Sequence, residues 1–551
     1  MKKFVVLFLA GFLILAFCAT GFAQDKLEFR ASGSFDVQTF WTQNTPPLNA
    51  GATPIYNSIP GAYNPASAVQ PGLPTGGAAN TVSQGAAFNK SVSYWDSRFA
   101  LRFDAVMGKD LSGTLQFEID ATRWGNSLGS QRPGSEAHAV ASWSTDKTAV
   151  EVKYMYMDFG LPYFGIPVPM TIRAGIQPLA VRPWFFAATD GAGVSAAIKI
   201  DPVTINPLYF KPAEGYDWAN NDDVDVYGLQ VNAKISTFTI GGYGFLYHMG
   251  NNYGMGQNVW TDFPSNTAYG AAAVAATTMP YLSGTNHAQF WWLGLYTDGK
   301  LGPVDLNFDF AYEWGEVKGR GSNTASNVSY SGLASRLKVD YPWEKFNFGA
   351  IGMYATGSDA NKTSPTGLPG SLAADGTQST RVAGWMVPVG SEAGAVNGES
   401  AVYYGMEPGA SGGAGLAVNH NYAQSSKGPF GGTWFGKLYT SYKVLPWYKV
   451  TLQGLYIGDT TKHGNTIGTA RKYATFAPGT PGATLLRDDK AVGAEFDLLN
   501  EFQIYKNLTF KVFGGYLINM GALDMYSGTP ASGNLTMHNP WALRTRLIYT
   551  F

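Results

Sequence analysis

Gly409, Ser411 and Gly413 have the Gly-x-Ser-x-Gly spacing that presents a nucleophilic serine in many hydrolases. That chemistry needs a strand running into a strained turn and then a helix. The match lies in a stretch crowded with glycine and alanine, so it reads as a chance coincidence. A second constellation is rich in oxygen: Asp217, Asn220, Asn221, Asp222, Asp223 and Asp225, with Asp217, Asp222 and Asp223 as the candidate Ca²⁺ ligands. It lacks the turn glycine and the terminal glutamate of an EF-hand, so a hydrated loop entering a strand is the simpler reading. His138, His248, His287, His420, His463 and His538 all fall in or beside stretches with loop composition, which suits solvated residues better than a catalytic or metal-ligating set. The expectation is therefore a protein with no catalytic residue, no resident metal and no cofactor.

The remaining chemistry is carried by charged residues in alternating positions, and composition says what must hold them. The chain has 551 residues, Lys+Arg 38, Asp+Glu 39, and 14% each of charged and aromatic residues. A soluble domain carries roughly 25% charged residues, so part of this surface is solvated by something other than water. After position 23 no apolar run reaches the ~18 residues of a membrane helix, and strands are left as the spanning element. The charge balance excludes the basic footprint of a nucleic-acid binder. Met1-Lys2-Lys3, the apolar stretch 4–17 and Gly21-Phe22-Ala23 have the layout of a signal peptide, predicted over 1–23, with one domain over 24–551. Cys18, the single cysteine, lies within that leader, and the Phe17 before it is too large for a lipidation box. Removing Lys2 and Lys3 leaves 36 basic residues against 39 acidic, a mature charge of −3.

Residues 27–41 set the period. Leu27, Phe29, Ala31, Phe35, Val37 and Trp41 share one parity, while Glu28, Arg30, Ser32, Ser34, Asp36 and Gln38 share the other. This is period two, with one apolar and one polar face. The same alternation recurs over 95–107, 111–121, 304–314, 333–341, 448–456, 508–518 and 541–551, and is weaker over 150–159, 193–200 and 203–210. Several charges per strand on the polar face require a wet interior if that face points inward. Short connections (108–110, 159–168, 201–202, 235–237, 299–303, 342–345, 445–447, 505–507) alternate with long ones (42–90, 125–147, 177–191, 212–221, 248–287, 315–329, 357–432, 459–489, 519–539). Short turns at one end and long loops at the other predict an all-β, antiparallel up-and-down transmembrane barrel of 18 strands, or 16 if 193–210 is one excursion. Aromatics on the apolar parity cluster at strand ends, with Trp41, Trp95, Trp314, Tyr354, Trp434, Tyr456, Tyr516 and Trp541 at one rim. Tyr341, Tyr442, Tyr448, Tyr549 and Phe551 mark the other, as two interfacial girdles require.

The chain ends Leu547-Ile548-Tyr549-Thr550-Phe551, and the alternation Leu547, Tyr549, Phe551 resembles the signal read by the barrel-assembly machinery of Gram-negative outer membranes. With the leader, the whole mature chain resembles a bacterial outer-membrane porin of the sixteen- to eighteen-stranded class. Arg173-Ala174-Gly175-Ile176-Gln177 is similar to a strand of phosphate-selective and alginate-export-like porins. The resemblance implies residence in the outer membrane among lipid and lipopolysaccharide, passage of small solutes and a possible homotrimer.

On this reading the main expectation is a water-filled pore for passive diffusion of small hydrophilic solutes and ions. A substrate-specific uptake or export channel and a barrel sheath for an electron conduit are the rivals. The candidate lining and constriction residues are Arg98, Arg102, Asp104, Arg173, Arg182, Asp190, Lys199, Asp305, Asp309 and Arg336. Residues 177–191, with Pro178, Pro183, Trp184, Phe185 and Phe186, are apolar where the other long connections are polar. They are expected to fold inward and pack on the wall, placing Arg182 and Asp190 near Arg173 and Lys199; the alternative is that the aromatics dip into the lipid interface at the rim. The long connection 357–432 could also enter the lumen, but its composition suits a mobile external cover.

Overall fold

The structure, a computed structural model, describes residues 26–44, 91–124, 150–161, 169–214, 223–250, 286–319, 328–357, 381–382, 384–388, 391, 400–405, 431–460, 490–520, 525–526, 534–535 and 538–551. Residues 1–23, expected from the sequence to be a leader, the Gly409 to Gly413 motif, Asp217 and Asp222 lie outside them. Eighteen long strands follow one another: β1 (Leu27–Gln43), β2 (Ser91–Met107), β3 (Leu111–Arg123), β4 (Glu151–Gly160), β5 (Met170–Val181) and β6 (Ala187–Ile200). Then come β7 (Val203–Ala213), β8 (Val224–Ile235), β9 (Phe238–Met249), β10 (Asn286–Leu301), β11 (Val304–Gly319) and β12 (Val328–Trp343). The ring is completed by β13 (Phe346–Ala355), β14 (Thr433–Leu445), β15 (Tyr448–Asp459), β16 (Ala491–Tyr505), β17 (Leu508–Asn519) and β18 (Trp541–Thr550).

Each strand pairs antiparallel with its chain neighbours, and β1 also pairs with β18 from Ser34 opposite Thr550 to Gln43 opposite Trp541. The sheet is thereby closed, which in lipid is the way a sheet satisfies its backbone donors and acceptors. β6 and β7 are separate neighbours, with Ser195 opposite Leu208, so the count is eighteen and not sixteen.

Side-chain polarity is inverted relative to a soluble barrel. Leu293, Leu295, Leu337, Leu438, Leu452, Phe496 and Leu498 are exposed on the outer face, while Asp309, Glu313, Lys437, Glu495 and Asp497 are buried inside. The outer rims carry exposed Trp95, Trp291, Trp314, Tyr354, Trp434, Tyr456 and Tyr516 at the long-loop end, and Tyr341, Trp343, Trp447, Tyr505, Tyr549 and Phe551 at the short-turn end. These are the two girdles of a bilayer-spanning barrel.

Two local features decide what happens inside. At the seam, Phe551 N–H donates to Gly33 O at 3.1 Å and Gly33 N–H to Phe551 O at 3.0 Å, while the Phe551 ring sits 6.0 Å from that of Phe35 and 5.7 Å from that of Tyr549. A Cβ at Gly33 would strike this ring, so only glycine lets the last residue lie flat on the first strand. Farther round the ring, β5 pairs with β4 only as far as Ile176, and β7 pairs with β6 only from Gly193 downward. β5 and β6 continue pairing with each other up to Val181 opposite Ala187. The tip 177–191 therefore leaves the wall as a hairpin. Gly175, with φ of 130°, marks the bend, because a Cβ there would run into the Met155 carbonyl.

Phe551→Ala removes the seam's aromatic contacts, each worth about 0.5–1.5 kcal/mol. Heat-modifiable barrel recovered from outer membranes is expected to fall while total synthesis stays unchanged, read by unheated gel mobility. Gly175→Val puts a β-branched residue at positive φ, a strain of roughly 1–3 kcal/mol. Its heat-modifiability midpoint is expected to drop below that of Ala174→Val, an outward-facing control.

Candidate pore and its luminal inserts

The inward face of β1 to β5 is a wall of ion pairs, and the alternation of each strand is what turns them all the same way. Arg102 Nε donates to Asp104 Oδ2 at 2.8 Å, and Thr114 Oγ1 to Asp104 Oδ1 at 2.6 Å. Arg173 grips Asp158 with two bonds of 2.7 and 2.8 Å and lies 4.2 Å over the Tyr156 ring. A four-member chain links Arg98 to Glu118 (2.5 Å), Glu118 to Lys153 (2.9 Å) and Lys153 to Asp190 (3.0 Å). At the short-turn end, Arg30, Arg102, Asp104, Lys109, Asp110 and Asp158 line a cavity of about 440 Å³ that carries three charges of each sign.

Arg182 is placed differently from the expectation. The hairpin tip carries it across the interior to β10 and β11, where it bonds Asp298 (2.5 and 3.0 Å) and Asp309 (3.1 Å and a shorter second bond). Its guanidinium also lies 4.4 Å over the Tyr296 ring. It is held in a left-handed backbone conformation, φ 48°, closed by Phe185 N–H and Phe186 N–H bonding its carbonyl. Burial opposes the charge, and the hydrogen bonds to Asp298 and Asp309 outweigh it, so the guanidinium pKa is held above its ordinary value. Asp190 binds Lys153, Arg173 binds Asp158, and Lys199 is exposed at the short-turn end of β6. The four charges expected to meet thus go to separate places, because the hairpin bends away from its own strands' lower halves. Asp305 pairs with Lys300 at 2.8 Å beside the turn, and Arg336 donates to Asn307 at 2.8 Å. Asp223 of the oxygen-rich cluster is bound by Lys211 at 3.0 Å, and the described residues hold no metal-ligating cluster.

Phe185 and Phe186 do not dip into the lipid interface. They are fully buried inside the barrel, where Phe186 stacks on Tyr243 (4.6 Å) and meets Phe245 edge-on (5.1 Å). Phe290 and Trp292 extend this apolar cluster along β10. β9 and β10 are consequently apolar on both faces, with Trp291, Leu293 and Leu295 turned to lipid. The unbroken run Phe290-Trp291-Trp292-Leu293 was the signal for this, since a strand covered on both faces loses its alternation.

The largest departure from expectation is the connection 357–432. Its described segments 384–388 and 400–405 are buried in the lumen and form no external cover. Met386 N–H donates to Glu313 Oε2 at 2.8 Å, its carbonyl accepts Trp292 Nε1–H at 2.9 Å, and Trp385 stacks 6.0 Å from Phe185. Ser391 Oγ bridges the hairpin, donating to Phe186 O and accepting from Ala188 N–H, each at 3.1 Å. Tyr404 is buried against Phe435 and Tyr403 edge-on against Tyr404, and burial pushes both phenols above their ordinary range. Glycine- and alanine-rich composition hid these anchors, which have no period of their own.

No protein-family model matches the chain, and no curated protein does. Among solved structures it is similar to OccAB3 of Acinetobacter baumannii (10% identity, TM-score 0.45, 95% of this chain and 99% of that one). It is also similar to OccK1 (OpdK) of Pseudomonas aeruginosa (8%, 0.44, 95% and 98%) and to a BenF-like porin from Pseudomonas fluorescens Pf-5 (9%, 0.43, 95% and 98%). At such identities and scores the fold rests on the strand register itself. That register is an eighteen-stranded closed barrel with a lipid-facing apolar band, the fold of a porin of the Gram-negative outer membrane.

Proposed function

We propose that the chain is a solute-selective outer-membrane channel for small hydrophilic molecules, without catalysis. The observation that supports this most is the set of luminal inserts: the hairpin 177–191 and the segments 384–388 and 400–405 narrow a barrel whose lower wall is lined with paired charge. A wide general pore, the main expectation from the sequence, is less compatible with these inserts, because they occupy lumen that such a pore leaves free. The same filling disfavours a sheath for an electron conduit, which must admit a second protein. Lipid, lipopolysaccharide and the barrel-assembly machinery are the partners implied by the fold. A homotrimer is carried over from the porin resemblance.

Selectivity here acts through the geometry of the narrowed path and the fields of charges held in a low-dielectric surround. Planar-bilayer conductance in a salt gradient, with liposome swelling over sugars, amino acids and small anions, tests the reading. Discrimination among solutes of equal size is expected. Uniform permeation by size alone would return the protein to the general pores.

Arg182→Met is expected to leave Asp298 and Asp309 without their shared cation. Removing one partner of a buried pair costs about 3–5 kcal/mol, so the hairpin should loosen and conductance rise. The reversal potential should shift toward cation preference, because one positive charge is lost from the lumen. An unchanged reversal potential at low salt, where screening is weakest, would take the hairpin out of the conducting path.

A further inference from the structure

Glu495 is fully buried on the inward face of β16, between Leu455 and Leu517 of the neighbouring strands. Water does not reach it, yet its carboxylate is well solvated by the chain. Oε1 accepts Ser400 Oγ–H at 2.7 Å, Ala401 N–H at 2.8 Å and Val402 N–H at 2.9 Å, and Oε2 accepts Tyr403 N–H at 2.9 Å. None of these donors is a lysine or an arginine. Ser400 Oγ in turn accepts Tyr404 N–H at 2.9 Å, which closes the turn, and Tyr404 Oη donates to Thr433 Oγ1 at 2.9 Å, which ties it to β14. Successive backbone N–H groups converging on one anion form a nest, and bonds to a charged acceptor are about twice as strong as neutral ones. The bonds point from the insert to the wall, so whatever fills the nest decides where the insert sits.

A second carboxylate supports this assignment. Asp497, two residues along the same face, is 2% exposed. Its Oδ2 accepts Gln453 Nε2–H at 2.7 Å and Ala401 N–H at 3.2 Å, while its Oδ1 is buried without a hydrogen-bond partner. The wall thus presents two acidic groups to one turn, and the turn satisfies the first completely. If the segment were held only by its apolar contacts, buried leucine or valine at 495 and 497 would serve better than two carboxylates whose desolvation must be offset.

We propose that the turn Ser400 to Tyr404 is a carboxylate receptor, that Glu495 is its resident ligand, and that this occupancy latches the insert inside the lumen. A vacant nest takes a small monocarboxylate in place of the side chain. The inference rests on the channel reading above and can fail separately from it. A wild-type protein that conducts nothing overturns the channel, whereas a conducting wild type with unaltered variants overturns the latch alone.

The test uses the full-length protein in planar bilayers, in potassium chloride and in potassium acetate. Glu495→Ala empties the nest, and the ratio of its single-channel conductance to wild type in chloride should rise by at least about twofold as the path widens. In acetate that ratio should fall back toward one, since acetate re-forms the bonds that the side chain made. A ratio that stays raised equally in both salts would overturn the receptor, and a ratio of one in both would overturn the latch. Ser400→Ala keeps the wall intact and removes two bonds of the turn, so it serves where Glu495→Ala does not assemble. There chymotrypsin added to intact proteoliposomes should cut after Tyr403 or Tyr404, sites protected in wild type, and continued protection would overturn the proposal.

Discussion

A carboxyl group buried away from water must find donors or give up its charge, and the interior of this barrel is arranged around three such groups, of which Glu313 has a donor on Oε2 while its Oε1 is buried without a partner. Asp309, Glu313 and Glu495 sit on β11 and β16, facing inward. Each is met by a segment that is not part of the wall: Arg182 of the hairpin, Met386 N–H, and the Ser400 to Tyr404 turn. Leaving such a group unpaired costs several kcal/mol. The wall therefore demands its inserts as much as the inserts demand the wall. Ser391 and the Phe185 to Trp385 stack join hairpin and insert to each other, so three distant sectors of the ring are coupled through one luminal assembly.

This assembly also explains the division of the lumen. Near the short turns the side chains are charged, paired along the wall and partly exposed, as in Arg102 with Asp104 and Arg173 with Asp158. Toward the long loops the interior becomes apolar, with Phe186, Tyr243, Phe245, Phe290 and Trp292 packed together. An apolar core inside a membrane barrel is stable only where something fills it, because dewetted aromatic walls facing open water would gain nothing from burial. The hairpin tip and Trp385 supply that filling.

The barrel was legible in the sequence because a two-residue period, unlike a contact, needs no partner to be read. Residues 27–41 and 304–314 display it, and the alternation of short and long connections gave the strand number. The excursion 177–191 stood out because Pro178, Trp184, Phe185 and Phe186 are too apolar for an exposed loop. What Arg182 touches was not legible: Asp298 and Asp309 lie 116 and 127 residues away, and only the fold brings them together. The anchoring roles of Glu313 and Glu495 were hidden for a related reason. Both sit on the inward parity of their strands, while their donors are mostly backbone N–H groups, which every residue but proline possesses and no composition reveals.

The seam between Gly33 and Phe551 has a consequence for the order of events in folding. Its hydrogen bonds join the first strand to the final residue of the chain, across the largest separation of any pair in the ring. Closing a loop of that length carries the greatest entropic penalty, so these contacts are favoured only once the intervening strands are already in register. Until then β1 and β18 each present an open edge with unpaired donors and acceptors, the condition in which strands recruit foreign partners. The barrel is thus most vulnerable to mispairing at its last step, and the aromatic at position 551, seated on a residue with no side chain, is what ends that exposure.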